Sequence, residues 1–287
     1  MKTTTVLLLL SLARLTAAPS TISPADRYAY AANAGWLDFR ADTTSGVRVA
    51  DTTLSGYAYA ANFGWIHLGS GTPTNGHTYS NTTATDYGVN LSPSGNLTGS
   101  AYAANVGWIT FEQTQGQPRL DLRTGKFFGS AYSANLGWIS LATTLSTLAT
   151  TTLARPDTDG DGLADSWEML NFNNLATATA TSDRDGDGAS DLAEYTAGTL
   201  PTDATSRLRI TAQSFPSPTT ANLTWTSVPT RNYRLEYDED LVGTWTNSAL
   251  GTLTPTAGTS TTGNLTALIA SPRRFFRAVA LPLPTAP

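Results

Sequence analysis

The bulky apolar residues of this chain fall into four short segments that share one pattern, with polar, turn-rich stretches between them. In every segment an Asn is followed two residues later by a Gly and then at once by a Trp. Successive Trp residues are 29, 43 and 30 positions apart, so the pattern is an internal repeat with a polar insertion near 69–83. The repeats are Tyr28–Phe39, Tyr57–Leu68, Ala101–Phe111 and Ala131–Leu141.

Each repeat predicts a β-hairpin. Asn and Gly both tolerate positive φ, so Asn-x-Gly is a natural tight reversal, and the Trp-Ile-x pattern after it is typical of a short strand. The strand before the reversal carries a Tyr, which we expect to lie near the Trp across the hairpin. Further hairpins are predicted around the turns 93–96 and 123–125. Residues 20–145 are therefore predicted to form a repetitive β domain, for which a sandwich, a prism and a solenoid all fit the pattern.

The position of the repeat Trp rings separates two interpretations. Regular recurrence with an Ile on the opposite face of the strand favours packing of each Trp in the core, against the Tyr of a neighbouring repeat. Exposed rings would instead favour carbohydrate binding, because sugars stack on aromatic faces. The rings concerned are Trp36, Trp65, Trp108 and Trp138.

The second half of the chain changes character twice. Residues 146–156 form a Thr-rich linker, and an acidic segment occupies 157–206. From 207 to 281 apolar and polar residues alternate with period two, as in Tyr233–Tyr237, which predicts a small sandwich. The tail, 282–287, is expected to be disordered. The predicted fold class is mainly β, with an N-terminal repetitive β domain, a short acidic-loop segment with small helices, and a C-terminal β-sandwich.

The first residues predict an export signal at 1–18. Lys2 precedes the apolar run Val6–Leu12, and small residues at Thr16–Ala18 suit cleavage. This run is too short to cross a bilayer, and no later stretch approaches the roughly 20 apolar residues that a membrane span needs. The chain contains no cysteine, which excludes disulfides, thiol catalysis and Cys-zinc sites. We therefore expect a secreted protein, either free or associated with the cell surface.

The net charge of −5 is concentrated in one place. Between residues 157 and 194 there are ten Asp or Glu residues and one positive side chain, Arg184, so this stretch carries −9 and the rest of the chain +4. Acidity confined to one segment indicates a cation site rather than a general aid to solubility. No basic patch stands out, so nucleic acid is not an expected partner.

Two twelve-residue segments, Asp157–Glu168 and Asp183–Glu194, follow one scheme 26 residues apart. Both carry carboxylates at positions 1, 3, 5, 9 and 12, and a Gly at position 6, where a calcium loop turns sharply. Position 7 offers a backbone carbonyl, and the Glu at position 12 can bind the ion with both oxygens. We therefore predict two Ca²⁺ ions. The predicted ligands are Asp157, Asp159, Asp161, Leu163, Asp165 and Glu168 in the first loop, and Asp183, Asp185, Asp187, Ala189, Asp191 and Glu194 in the second.

These loops resemble thrombospondin type 3 repeats and bacterial EF-hand-like calcium repeats, over about 157–205. The chain after the second loop, Glu194–Asp203, is also similar to repeats of secreted bacterial proteins. The resemblance implies calcium binding outside the cytoplasm. Short helices are expected at Ser166–Phe172 and Asp191–Ala197. Dockerin modules also pair two calcium loops with helices, but they usually carry Asp at position 12.

The flanking regions have resemblances of their own. The Asn-x-Gly-Trp-Ile units are similar to elements of bacterial surface proteins, whose biochemistry is poorly defined. Residues 207–281 are similar to fibronectin type III-like modules, a resemblance that implies a spacer or adhesive role. Both resemblances are to secreted or surface proteins of bacteria.

The function predicted from the sequence is a secreted or surface-associated structural and adhesive protein, in which calcium rigidifies the segment between the β domains. The alternatives are a carbohydrate-binding accessory protein that uses exposed aromatic rings, and a dockerin-like anchor to a scaffold protein. Expected partners are an extracellular polysaccharide or a surface protein. An enzyme is not expected, because no catalytic motif accompanies His67 or His77, and Asp238–Asp240 is typical of a hairpin turn.

Overall fold

The computed structural model describes residues 19–217, 219–255, 258–266 and 274–283. The predicted export signal at 1–18 and the last four residues of the chain lie outside these ranges. Within them the mainly β fold class is confirmed, with short strands throughout and two short helices in the acidic segment.

The strands before the acidic segment are β1 (Tyr28–Ala31), β2 (Gly35–Asp38), β3 (Arg48–Val49), β4 (Thr53–Ser55), β5 (Tyr57–Ala60), β6 (Gly64–His67), β7 (Val89–Leu91), β8 (Leu97–Ala103), β9 (Gly107–Phe111), β10 (Arg119–Asp121), β11 (Lys126–Phe128), β12 (Ser130–Ser133) and β13 (Gly137–Ser140). The helices and later strands are α1 (Asp165–Phe172), α2 (Asp191–Ala197), β14 (Ile210–Ser217), β15 (Thr220–Thr226), β16 (Tyr233–Asp238), β17 (Thr246–Asn247), β18 (Ser260–Thr266) and β19 (Phe275–Ala280). Both helices lie where the sequence predicted them.

The four repeats form the hairpins β1–β2, β5–β6, β8–β9 and β12–β13, and these join into one closed antiparallel sheet. The second strand of each hairpin pairs with the first strand of another: β2 with β5, β6 with β8, β9 with β12 and β13 with β1. The pairings return to their starting point, so these eight strands leave no free edge. The sequence left a sandwich, a prism and a solenoid open, and the closed sheet is a fourth solution.

The remaining strands of this half are attached to the closed sheet. Strands β3, β4 and β7 continue the sheet from the first part of β8, and β10 pairs with β11 as a separate hairpin. The turns predicted at 93–96 and 123–125 connect β7 to β8 and β10 to β11.

The interior of the closed sheet is filled by the residue that follows each repeat Trp. Leu37, Ile66, Ile109 and Ile139 are all at least 97% buried, whereas the four Trp rings face outward and are 42–48% exposed. The expectation that these rings pack in the core is therefore wrong. Neighbours in a strand point to opposite faces, and an eight-stranded closed sheet has room inside only for a compact layer of side chains, so the aliphatic residue fills it.

The repeated Asn residues form a ring of hydrogen bonds at the turn end of the closed sheet. Each Asn side-chain Nδ2 donates to the carbonyl of the residue between Asn and Gly in an adjacent hairpin turn, over 2.8–3.1 Å. The ring consists of Asn33 to Leu136, Asn62 to Ala34, Asn105 to Phe63, and Asn135 to Val106. The apolar acceptor residues are buried and cover the end of the core. The Gly that follows each has a φ between +76° and +94°, which favours glycine.

The C-terminal region forms two three-stranded sheets, β14–β15–β18 and β17–β16–β19. Their inner faces share one core, which includes the fully buried Leu223, Trp225 and Leu235. This arrangement agrees with the predicted sandwich. Beyond it, Leu283 packs partly buried against the core of the repeat domain, so the expectation of a disordered tail does not hold at that residue.

Candidate metal centre

The first aspartate of each loop ties the loop together through its backbone. Asp157 Oδ1 accepts the Gly160 N–H at 2.7 Å, and its Oδ2 accepts the Gly162 N–H at 3.0 Å. Asp183 repeats both bonds with Gly186 and Gly188, at 2.8 and 2.9 Å. The Gly at position 6 has a φ of +95° in the first loop and +92° in the second, as the sharp turn requires. The two loops therefore have the same local fold.

This turn brings three aspartates together in each loop. One carboxylate oxygen from each of Asp157, Asp159 and Asp161 lies within 4.8 Å of the others, and the same holds for Asp183, Asp185 and Asp187. These are the predicted ligands at positions 1, 3 and 5. Three negative charges at this separation repel one another strongly unless a cation lies between them.

The Glu at position 12 is the most unusual residue of each loop. Glu168 and Glu194 lie in the first turns of α1 and α2, and both are fully buried. Burial, assisted by the charges of Asp161 and Asp159, raises the pKa of Glu168 to about 7. The pKa of Glu194 is likewise raised to about 7, chiefly by burial. Burial and the neighbouring negative charges disfavour the ionised form of both side chains unless a positive charge is present.

Six buried carboxylate oxygens in the two loops have no hydrogen-bond partner among the described residues. They are Asp161 Oδ2, Glu168 Oε1, Glu168 Oε2, Asp185 Oδ2, Asp187 Oδ2 and Glu194 Oε2. Buried polar atoms are nearly always paired, and an unpaired buried oxygen is costly, so this group calls for a ligand. Three of these oxygens lie in each loop, and carboxylate oxygens are ligands that Ca²⁺ prefers.

The aspartate at position 9 has a different role from the first three. Asp165 Oδ1 accepts the Thr158 N–H at 2.7 Å, and its Oδ2 accepts the Thr158 hydroxyl at 2.6 Å. Asp191 Oδ2 accepts the Ser182 hydroxyl at 2.5 Å. Both carboxylates begin a helix and hold the start of the loop in place.

At position 7 each loop folds back on position 5. The Leu163 N–H donates to Asp161 Oδ1 at 2.8 Å, and the Ala189 N–H donates to Asp187 Oδ1 at 2.7 Å. These bonds leave the second oxygen of each aspartate among the unpartnered atoms. The structure therefore fixes one oxygen of the position-5 aspartate and leaves the other for a ligand.

The second loop is also connected to both β regions, through residues that the sequence did not single out. The Tyr195 hydroxyl donates to Asp51 Oδ2 at 2.5 Å, and Arg155 Nε lies 3.1 Å from Asp51 Oδ1. On the other side, Arg231 Nε donates to the Thr196 carbonyl at 3.0 Å, and Ala197 belongs to the sandwich core. Three consecutive residues after Glu194 thus contact the repeat domain and the sandwich.

Helix α1, at the end of the first loop, contacts the polar insertion of the repeat domain. A Cβ atom at Gly76 would lie 2.9 Å from Met169 Cγ, so the insertion backbone packs directly on α1. The two helices also meet each other, since the Trp167 and Tyr195 ring centroids are 5.4 Å apart. No helix in the described ranges is long and apolar enough to cross a membrane.

These features define a class of site, a pair of acidic loops that each lead into a short helix and whose geometry is compatible with calcium binding. A family model described as bacterial TSP3 repeat matches residues 157–171 and 183–204, which contain both loops, α2 and all of α1 but its last residue. This match supports the predicted thrombospondin type 3 likeness and calcium binding, and such repeats are typical of extracellular proteins. It covers the acidic segment alone. No curated protein and no solved structure matches the chain.

Proposed function

We propose that each loop binds one Ca²⁺ ion, and that the two ions rigidify the segment between the β domains of a secreted structural and adhesive protein. The observation that carries this proposal is the set of six unpartnered, buried carboxylate oxygens in two loops of the same geometry. The TSP3 match over the same residues supports it independently.

The residues present fit the ion. The three clustered aspartates of each loop, the position-7 carbonyls of Leu163 and Ala189, and the buried Glu168 and Glu194 would hold it. Asp165 and Asp191 are not members of the two aspartate clusters, and they accept hydrogen bonds at the start of their loops. We therefore propose that they position the loop rather than bind the ion directly. When bound, calcium supplies the positive charge that the cluster otherwise lacks.

The structural role follows from where the ligands lie. Glu194 directly precedes Tyr195, Thr196 and Ala197, which contact the repeat domain and the sandwich. An ion that fixes Glu194 therefore also fixes the first turns of α2 against both neighbours. With an extracellular-type dissociation constant near 10⁻⁴ M and about 1 mM calcium, each site would contribute roughly 1.4 kcal/mol to stability.

A second candidate function is anchoring to a scaffold protein. Leu170 on α1 and Leu192 on α2 are 39% and 36% exposed, and exposed apolar residues on the calcium helices are what such an anchor would use. This candidate predicts that Leu170→Asp with Leu192→Asp abolishes attachment to isolated cell envelopes in calcium. Unchanged attachment of the double variant would remove it.

Hydrogen exchange tests the leading proposal. Amides of α1 and α2 should exchange slowly in about 1 mM calcium and much faster in EDTA, while strands inside the closed sheet keep the same rates in both. Equal exchange of the helices in both conditions would overturn the proposal. The absence of enzymatic activity remains a prediction from the sequence.

A further inference from the structure

The outer face of the closed sheet repeats one aromatic arrangement four times. In each hairpin a Tyr lies opposite the Trp, with ring centroids 4.9–5.0 Å apart and planes inclined by 59–63°. Cross-strand aromatic pairs of this kind stabilise a hairpin, so the pair alone does not require a ligand.

The fourth hairpin differs from the other three in the number of Tyr rings that lie beside its Trp. A second Tyr ring flanks each of the first three Trp rings, namely Tyr28 beside Trp36, Tyr57 beside Trp65, and Tyr87 beside Trp108. In the fourth hairpin Ser130 stands at the register position that Tyr28 and Tyr57 occupy in theirs. Among the described residues, Tyr132 is the one ring that pairs with Trp138.

An open cleft of about 540 Å³ lies beside Trp138. Its lining combines two aromatic rings with polar side chains: Thr110, Glu112, Thr114, Gln115, Tyr132 and Trp138. Trp138 and Tyr132 are 43% and 41% exposed. The volume falls within the range of small-ligand sites, roughly 300–1,000 Å³.

The polar wall of the cleft is preorganised. Glu112 accepts the backbone N–H groups of Thr114, Gln115 and Gly116, at 2.7, 3.1 and 2.6 Å. These bonds, that of Gly116 above all, hold the pKa of the Glu112 carboxyl below its usual range. A Cβ at Gly116 would lie 2.8 Å from Trp138 Cζ3, so the loop packs directly on the indole. The indole and the loop therefore have a fixed relative position.

The cleft also offers free hydrogen-bonding groups. The hydroxyl of Thr110 and the side-chain amide of Gln115 have no partner in the described part of the chain, and Thr110 lies directly opposite Tyr132 in the sheet. An aromatic platform with an amide and a hydroxyl at its edge suits a pyranose ring, whose C–H face is apolar and whose rim carries hydroxyl groups. The carboxylate of Glu112 in the lining repels anionic sugars, so charge favours a neutral one.

We propose that the cleft between Trp138 and the 112–116 loop binds a neutral sugar unit of a polysaccharide. The sugar ring stacks on Trp138, the Gln115 amide and the Thr110 hydroxyl bond its hydroxyl groups, and Glu112 positions the loop. The cleft shares no residue with the calcium loops, so this inference goes beyond the proposed function and does not depend on it.

The test is binding of the full chain to a panel of insoluble neutral polysaccharides: cellulose, chitin, xylan, starch and a β-1,3-glucan. Trp36→Ala is the matched control for Trp138→Ala, because it removes an equally exposed Trp ring that does not line this cleft. We expect Trp138→Ala to weaken binding about tenfold and Trp36→Ala less than about twofold. Gln115→Ala should weaken it several-fold, and it keeps the aromatic pair and hence the hairpin intact.

Binding should be unchanged in EDTA, which separates this proposal from the calcium proposal. Three results would overturn the proposal: no binding of the unchanged chain to any member of the panel, equal losses in Trp36→Ala and Trp138→Ala, or full binding by Gln115→Ala. If Trp138→Ala does not fold, as judged by circular dichroism, Trp138→Phe and Gln115→Ala decide the matter.

Discussion

Replacing Glu168 with Gln should change the stability of the protein in opposite directions with and without calcium. Glu168 is fully buried, neither of its carboxylate oxygens has a partner among the described residues, and its pKa is raised to about 7 by burial and by the charges of Asp161 and Asp159. Without calcium the ionised side chain therefore destabilises the folded state. With calcium the same charge is a ligand.

The size of the effect follows from the pKa. A rise from 4.5 to about 7 is a difference of 2.5, and each pKa unit corresponds to 1.36 kcal/mol, so ionisation of Glu168 costs the folded state up to roughly 3.4 kcal/mol. Because the folded pKa is the higher one, this cost is absent below about pH 4.5 and complete above about pH 7. Water that reaches the loop would screen part of it, so the figure is an upper bound.

The assay is urea unfolding of the unchanged chain and of Glu168→Gln, in EDTA and in calcium. Near pH 8 in EDTA the variant should be more stable by about 1–3 kcal/mol, and near pH 4.5 the two proteins should be about equal. In about 1 mM calcium the variant should be the less stable protein, because it lacks a ligand. Glu239→Gln, which changes an exposed carboxylate of the sandwich, is the control. A variant that is less stable than the unchanged chain in EDTA near pH 8 would refute the reasoning.

Three further predictions concern calcium binding by the loops, the ring of Asn hydrogen bonds, and the hydrogen bond between Tyr195 and Asp51. Calcium binding should release about one proton per site near pH 6 and almost none near pH 8, measured by calorimetry in buffers of different ionisation enthalpy, because the bound ion keeps both position-12 glutamates ionised. Asn105→Ala breaks the ring of turn hydrogen bonds and should lower the free energy of unfolding by about 1 kcal/mol. Tyr195→Phe removes the hydrogen bond to Asp51 and should cost about 1.5–3 kcal/mol, whereas Tyr59→Phe on the exposed face should cost almost nothing.

The calcium segment could be predicted because its geometry is local. All predicted ligands of a loop lie within twelve residues, and position 6 needs a glycine whatever surrounds it. The structure adds what the spacing did not contain. Asp165 accepts hydrogen bonds from Thr158, and Glu168 is fully buried.

The individual hairpins of the closed sheet could be predicted from the sequence, but the closure of the sheet could not. Asn-x-Gly marks each reversal, but closure depends on contacts such as that of Asn33 with Leu136, which are 103 residues apart. Period-two alternation places Trp138 and Ile139 on opposite faces without saying which face is inside. The interior of the closed sheet is narrow, so the smaller Ile139 faces inward and Trp138 faces outward.

The contact between Tyr195 and Asp51 had no signal in the sequence. The two residues are 144 positions apart, and no pattern in the sequence pairs one with the other. Only the packing of α2 against the repeat domain brings them together. Contacts between separately folded parts of a chain depend on tertiary packing, which local patterns do not contain.

The central claim is that the paired loops bind two calcium ions, and a calorimetric calcium titration of the full chain tests it most directly. We predict a stoichiometry of two for the unchanged chain and for Glu239→Gln, and of one for Glu168→Gln and for Glu194→Gln in about 1 mM calcium. A chain that takes up no calcium, or one whose stoichiometry is the same in both loop variants as in the control, would contradict the claim.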